Sequence, residues 1–126
     1  MDAPLCQRVL DIGALRELLD YNVLTRMIGA PESIYPLPPR CFGRDAHLEM
    51  IAAFQTNIVC GGNEIMDRLI DGDRAAVMRK ATFIHIGSGR SAVIHCAEWL
   101  RFRKGRIVEV AYLNDTGAMR KLLDGE

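Results

Sequence analysis

Residues 90–116 constrain the fold of this chain more than any other stretch. They contain two long runs of residues that suit a pleated, half-buried surface, one on each side of Lys104-Gly105. Because glycine readily adopts the positive φ that a tight turn needs, the two runs are predicted to pair as antiparallel strands. Any fold for this chain must therefore contain a long hairpin near its C-terminal end.

Alternation along the first of these strands predicts which side chains share a face. Glu98 lies on the same face as apolar residues, among them Leu100 and Phe102. The other face carries His95, Trp99 and Arg101. The second strand ends in Asn114-Asp115, which places a carboxylate at the end of an apolar ladder. The hairpin therefore predicts two acidic side chains close to apolar surface.

The residues before the hairpin show helical spacing first. Apolar residues from Ala14 to Leu19 predict a helix capped by Asp11, with the apolar stripe in the core. Residues 22–28 then favour a strand. Three prolines within residues 32–42 allow at most a broken or edge strand there, of the kind that tends to form the rim of a pocket.

A second helix is predicted from Gly43 to its end at Gly61-Gly62, with His47 as a solvated residue of its first turn. From residue 64 the period changes to two, which predicts strands over 64–70 and 74–86. With the terminal hairpin these make a four-strand antiparallel meander. Helices on one face of such a sheet predict an α+β fold, with a strongly curved, cone-shaped antiparallel sheet packed on N-terminal helices.

Length and charge limit the partners. A chain of 126 residues is predicted to be one domain over 1–126, and 49% hydrophobic with 25% charged residues is ordinary for a globular protein. The 16 basic and 16 acidic residues cancel, so no overall charge attracts nucleic acid or an anionic membrane. No apolar run approaches the roughly 20 residues of a membrane span.

The cysteines and histidines do not predict a metal or redox site. Four scattered cysteines favour free buried thiols in a reducing cytosol, and hence a cytoplasmic location (Cys6, Cys41, Cys60 and Cys96). Structural zinc sites usually show paired close spacings, which are absent from this sequence. The glycines at 87 and 89 join two predicted strands, whereas a dinucleotide-binding loop joins a strand to a helix. No metal or cofactor is therefore expected.

Several motifs carry a family resemblance. The run LRFRKGRIVEVAYLNDTGAMRKLL resembles the C-terminal signature of SnoaL-like proteins, the polyketide cyclase-like members of the nuclear transport factor 2-like (ketosteroid isomerase-like) superfamily. Asp115-Thr116 falls ten residues after Gly105, where the family has Asp-Thr. The runs DIGALRELLDYNV and GRDAHLEMIAAF are similar to two further family motifs. The resemblance covers residues 11–123.

The resemblance implies a pocket for a small hydrophobic metabolite, with a carboxylate as general base. It implies Asp115 as that base, although Asp-Thr before a helix is also an ordinary N-cap. Glu98 stands where many relatives carry a histidine or another polar pocket residue. A pocket role for Glu98 competes with a salt bridge to Arg79 or Lys80 on the neighbouring strand. Two carboxylates in one pocket would raise each other's pKa.

Two functions remain open on this basis. The first is proton transfer next to a carbonyl, in a cyclisation, isomerisation or dehydration, with Asp115 as base and Glu98 and Tyr112 assisting. The second is a non-catalytic ligand-binding or dimeric assembly module. The remaining predicted pocket residues are Tyr21, Phe54, Leu100 and Phe102. A homodimer is predicted through the sheet face that carries His95, Trp99 and Arg101.

Overall fold

The computed structural model describes residues 16–28 and 40–125. Within these ranges the elements are β1 (Leu19–Ile28), β2 (Arg40–Phe42), α1 (Arg44–Asn57), β3 (Ile58–Asp71), β4 (Arg74–His85), β5 (Ser91–Arg103), β6 (Arg106–Asn114) and α2 (Thr116–Asp124). Residues 16–18 are helical and lead directly into β1. The predictions for Asp11, Ala14 and Cys6, and for the prolines at 36, 38 and 39, lie outside the described residues.

The six strands form one curved, unclosed sheet in the order β2-β1-β6-β5-β4-β3. Neighbouring strands are antiparallel except β1 and β6, which are parallel. The predicted α+β class and curved sheet are confirmed, and β2 lies at an edge of the sheet as its proline-rich surroundings predicted. The parallel pair was not predicted, since alternation along a strand carries no information about the direction of its neighbour.

The terminal hairpin forms as the sequence predicted. Lys104 has φ 52° and Gly105 has φ 77°, so both central residues of the turn between β5 and β6 are in the positive-φ region. Such a turn matches the twist of the flanking strands. The turn between β3 and β4 likewise has Gly72 at φ 60°.

Two local predictions were wrong. The helix α1 does not end at Gly61-Gly62, because β3 begins at Ile58 directly after the helix and runs through both glycines. The register between β3 and β4 shifts between Cys60 and Gly62, so these glycines lie at a β-bulge. The predicted helical stripe also ends early. Leu18 is exposed, and Leu19 is buried as the first residue of β1.

The helices pack on one face of the sheet, which we call the inner face. One core cluster comprises Leu19, Val23, Leu48, Ile107 and Val110. A second comprises Phe54, Ile58, Ile94, Met119 and Leu122. Because α1 contributes Leu48 to the first cluster and Phe54 to the second, this helix spans the inner face from one cluster to the other.

Of the three cysteines within the described residues, one differs from the predicted free thiol. Cys41 and Cys96 are free, whereas Cys60 is disulfide-bonded. Disulfides are rare in cytosolic proteins, so the cysteines no longer support a cytoplasmic location, which stays a prediction. Among the described helices, none has the length and apolar character needed to cross a bilayer.

Candidate functional site

A cavity of about 80 Å³ opens on the inner face beside the second core cluster, whose Phe54 and Met119 line it. Its apolar wall comes largely from the helices and includes Met50, Ile51, Phe54 and Met119. Its polar side chains all come from strands β3 to β6, and they are Asn63, Arg79, Cys96, Glu98, Tyr112 and Asn114. The sheet therefore supplies the chemistry of the cavity, and the helices supply most of its apolar cover.

Strand register brings a carboxyl group, a guanidinium group and a phenol together. Glu98 on β5 lies directly opposite Tyr112 on β6. Arg79 on β4 lies opposite Cys96, which places it diagonally across from Glu98. The Nη2 group of Arg79 donates a hydrogen bond to the Glu98 carboxylate. Both interpretations of Glu98 from the sequence are therefore observed, since it lines the cavity and forms a salt bridge to Arg79.

Burial changes the protonation behaviour of Glu98. Desolvation raises the pKa of its carboxyl group, and the neighbouring Arg79 guanidinium opposes that rise. The side chains of the pair are only 14% and 11% exposed, so solvent screens their interaction little. A carboxylate with a raised pKa is a stronger base than a solvated one. Arg79 at the same time leaves this part of the cavity without net charge.

Tyr112 is held as a neutral hydrogen-bond donor. Burial raises the pKa of its phenol well above the ordinary value, and the negative charge of Glu98 adds to the rise. Its hydroxyl lies 3.4 Å from Nε2 of His47, and Nδ1 of His47 lies 2.8 Å from Oγ1 of Thr25. Tyr112 is thus the cavity end of a buried polar chain that crosses from β1 through α1 to β6.

The position of His47 corrects its prediction as a solvated surface residue. Only 1% of the residue is exposed, and burial lowers the pKa of its imidazole to about 4. The ring is therefore neutral at physiological pH. The sequence did contain a signal, since His47 stands one helical turn before Ile51 and beside Leu48, within the apolar stripe of α1.

Asp115 lies outside the cavity. Its residue is exposed, it is the N-cap of α2, and its Oδ1 accepts a hydrogen bond from the Ala118 amide at 3.0 Å. It is not among the residues that line the cavity. The geometry agrees with the capping interpretation and gives no support to Asp115 as a general base, because a base must reach the reacting carbon.

The remaining predicted pocket residues fall into three places. Phe54 lines the cavity. Leu100 and Phe102 face inward but pack against the first core cluster and do not line the cavity. Tyr21 is 64% exposed, with the Arg44 guanidinium 5.6 Å from its ring centroid, so it contributes to the surface.

The outer face of the sheet, opposite the helices, carries the residues predicted for dimerisation. His95 is exposed, Trp99 is 47% exposed, and the Arg101 side chain is 42% exposed. Val93 and Met78 add exposed apolar surface on this face. The dimer stays a prediction.

Four polar residues of the cavity were not predicted as site residues, and Cys96 among them was considered only as a free thiol. Asn63 falls between the predicted helix end at Gly61-Gly62 and the strand predicted from residue 64, and no role was predicted for it. Asn114 was considered only as part of the strand end. Arg79 was considered only as a salt-bridge partner of Glu98. Their inward direction depends on pairing between distant strands, and alternation within one strand does not reveal it.

Likeness to known proteins is found in the fold of this chain. No family model matches the chain, and no curated protein matches it. Among solved structures, a proposed isomerase from Rhodopseudomonas palustris superposes with a TM-score of 0.82 at 18% identity, covering 100% of this chain and 99% of that one. A nuclear transport factor 2-like protein from Burkholderia pseudomallei gives 0.80 at 21% identity, covering 95% and 90%.

A proposed SnoaL-like polyketide cyclase from Jannaschia sp. gives a TM-score of 0.73 at 13% identity, covering 98% of this chain and 91% of that one. Identities this low show a shared fold and leave the activity open. This chain has the nuclear transport factor 2-like fold, as its resemblance to SnoaL-like proteins predicted.

Proposed function

We propose that this chain binds a small, largely apolar carbonyl compound in the cavity and moves a proton at the carbon next to the carbonyl. One observation carries the proposal: Glu98 and Tyr112 lie directly opposite each other in the sheet, and both line an otherwise largely apolar cavity. A carboxylate base and a neutral proton donor are the two groups that such a transfer requires. The names of the isomerase and the cyclase of the same fold are compatible with this chemistry.

The roles follow from the surroundings of each group. Glu98 takes the proton from the α-carbon, and its raised pKa makes that transfer less unfavourable than it would be to a solvated carboxylate. The electron pair of the broken C–H bond moves to the carbonyl oxygen, where the Tyr112 hydroxyl donates a hydrogen bond to the developing enolate. Glu98 then returns the proton to carbon, so no co-reactant is needed.

Neighbouring residues position these two groups. The Arg79 guanidinium favours the ionised form of the Glu98 carboxylate and so opposes the rise in its pKa that burial causes. His47 contacts the Tyr112 hydroxyl through Nε2 and Thr25 through Nδ1. With Thr25 donating to Nδ1, the Nε2–H group donates to the phenol oxygen, and the phenol proton stays free for the ligand. Asp115 has no role in this scheme, since it caps α2.

Exchange of α-protons for deuterium tests the proposal without knowledge of the natural substrate. Small ketones such as 2-butanone and cyclopentanone are incubated with the protein in D₂O, and loss of the α-proton signal is followed by NMR. We expect Glu98→Gln to lower the exchange rate about 100-fold or more, and Tyr112→Phe about 100-fold. The matched control is Glu64→Gln, which removes a carboxylate whose partner, Lys80, is 3.4 Å away at the surface.

Three results would contradict the scheme. Wild-type exchange no faster than buffer would remove the catalytic proposal. Equal rates for wild type and Glu98→Gln would remove Glu98 as the base. A loss of exchange in Asp115→Asn but not in Glu98→Gln would assign the base to Asp115.

The second candidate is a non-catalytic binding module of the same fold. The observation that favours it is the Arg79–Glu98 salt bridge, which engages the carboxylate that would otherwise act as base. This candidate predicts that the ketones bind, as seen by saturation-transfer NMR, while the wild type gives no exchange above buffer. In either case we propose that two copies associate through the outer face at Trp99.

A further inference from the structure

We infer that Asn63 determines the specificity of the cavity, by binding a hydroxyl group at the end of the ligand away from the carbonyl. The preferred ligand is then a small neutral hydroxyketone, and a plain ketone of the same size binds less well. The inference rests on the proposed function, because it assumes that a carbonyl group lies against Tyr112.

The first observation is an unpaired acceptor in a buried place. Asn63 is only 4% exposed and lines the cavity, and its Oδ1 atom has no hydrogen-bond partner within residues 16–28 and 40–125. The other buried side-chain atoms without a partner in that part of the chain are guanidinium nitrogens, which are donors. Buried polar atoms are nearly always paired, so an unpaired acceptor on a residue that lines a cavity points to a donor on the ligand.

The second observation is that a bulge turns Asn63 inward. Cys60 pairs with Phe83 and Asn63 pairs with Ala81, and Gly61 is the extra residue between them. With strict alternation after Cys60, Gly62 would face the cavity and Asn63 would face outward. An extra residue in β3 thus brings a polar amide into an apolar place, which stability alone does not favour.

The third observation is that the neighbouring residues on β4 and β5 do not supply a hydrogen-bond partner for the Asn63 side chain. Ala81, directly across from Asn63, has no polar atom and also lines the cavity. Arg79 and Glu98 are already bonded to each other. The amide of Asn63 therefore offers both a donor and an acceptor to the cavity, and a hydroxyl group can satisfy both.

The strand order separates the two polar ends of the ligand. Asn63 is on β3 and Tyr112 is on β6, with β4 and β5 between them. A ligand that contacts both must be polar at each end and apolar in the middle. Because the charges of Arg79 and Glu98 offset each other, a neutral ligand fits better than a charged one.

Two ketones of equal size test the inference. In 7-hydroxy-2-heptanone a hydroxyl group stands where 2-octanone has a methyl group, both have the same number of non-hydrogen atoms, and the chain is long enough to separate the two polar ends. Dissociation constants for the full chain are measured by ligand-observed NMR titration. We expect the wild type to bind the hydroxyketone about tenfold more tightly, and Asn63→Leu to bind the two equally or to prefer 2-octanone. Asn22→Leu, a matched change at an exposed residue outside the cavity, keeps the wild-type preference.

A second measurement separates recognition from a structural role. Leu has the same number of side-chain non-hydrogen atoms and the same branching at Cγ as Asn, and it removes the unpaired polar atom, so we expect the urea midpoint of ligand-free Asn63→Leu to equal or exceed that of the wild type. A large loss of stability, or failure to fold, would mean that Asn63 is structural and would overturn the inference.

The outcomes also distinguish this inference from the proposed function. Equal binding of both ketones by the wild type, or an unchanged preference in Asn63→Leu, overturns the inference alone, provided that α-proton exchange is still observed. If the wild type binds neither ketone, both are overturned. Preference for the hydroxyketone that Asn63→Leu abolishes supports the inference even where no exchange occurs.

Discussion

The buried imidazole of His47 makes a quantitative prediction about stability and pH. In the folded state burial lowers the pKa of this group from 6.5 to about 4, whereas in the unfolded chain it keeps the ordinary value. Between these two values the unfolded state takes up a proton that the folded state does not. The stabilising contribution is therefore complete above pH 6.5 and is lost as the pH falls towards 4.

The size of the effect follows from the same two values. A shift of about 2.5 pKa units corresponds to about 3 kcal/mol when it is fully expressed below pH 4. Between pH 7.5 and pH 5.0 the expected loss is about 2 kcal/mol from His47 alone. Glu98 acts in the opposite sense, because its raised pKa lets the folded state take up a proton first as the pH falls. Tyr112 stays protonated throughout this range.

A variant comparison isolates the His47 contribution. Unfolding free energies from urea titrations at pH 7.5 and 5.0 are compared for the wild type and His47→Gln, which removes the titrating group and keeps polar atoms. We expect the loss on acidification to be about 2 kcal/mol smaller in the variant. His95→Gln, an exposed histidine on the outer face, is the matched control and should follow the wild type. Losses that agree within about 0.5 kcal/mol for the wild type and His47→Gln would refute the reasoning.

Three further predictions concern the cap, the salt bridge and the outer face. Asp115→Ala should lower the unfolding free energy by about 1 kcal/mol through loss of the α2 cap, while Asp115→Asn, which can still cap, should change it little; equal losses would exclude capping. Arg79→Met should lower the unfolding free energy by about 3 kcal/mol, because it leaves the Glu98 carboxylate buried without its partner. The double variant Arg79→Met/Glu98→Leu should recover part of that loss, and strictly additive losses in a double-mutant cycle would contradict this explanation. Trp99→Glu should convert a sedimenting dimer into a monomer, and a variant that stays dimeric would place the interface elsewhere.

The fold was largely predictable because its signals are local. The Lys104-Gly105 turn fixes a hairpin within adjacent residues, and the two faces of β5 follow from alternation alone. Ile94 is fully buried and Cys96 is 7% exposed, whereas His95 between them is exposed, as the sequence predicted. Glycine was the weaker signal, because a glycine pair can end a helix or lie at a bulge in a strand, and Gly61-Gly62 lies at a bulge.

The candidate site was less predictable because its residues meet through pairing between strands and packing between elements. His47 belongs to the site only because α1 lies across the inner face beside β1 and β6. Asp115 matches the family motif and yet caps a helix, since a motif position does not fix the direction of a side chain. Glu98 was placed on the correct face, but the choice between Arg79 and Lys80 as its partner depended on the register of β4 against β5.

Two bulges explain why alternation alone could not assemble the cavity. In β6 the register shifts so that Phe102 pairs with Ile107 and Arg101 pairs with Glu109, which leaves Val108 as the extra residue. Without it, Glu98 would lie opposite Ala111, and Tyr112 would face outward. In β3 the extra residue Gly61 likewise turns Asn63 towards the cavity. Tyr112 and Asn63, which we propose bind the two ends of the ligand, therefore each face the cavity because their strand contains an extra residue. The direction of Glu98, the proposed base, depends on neither bulge.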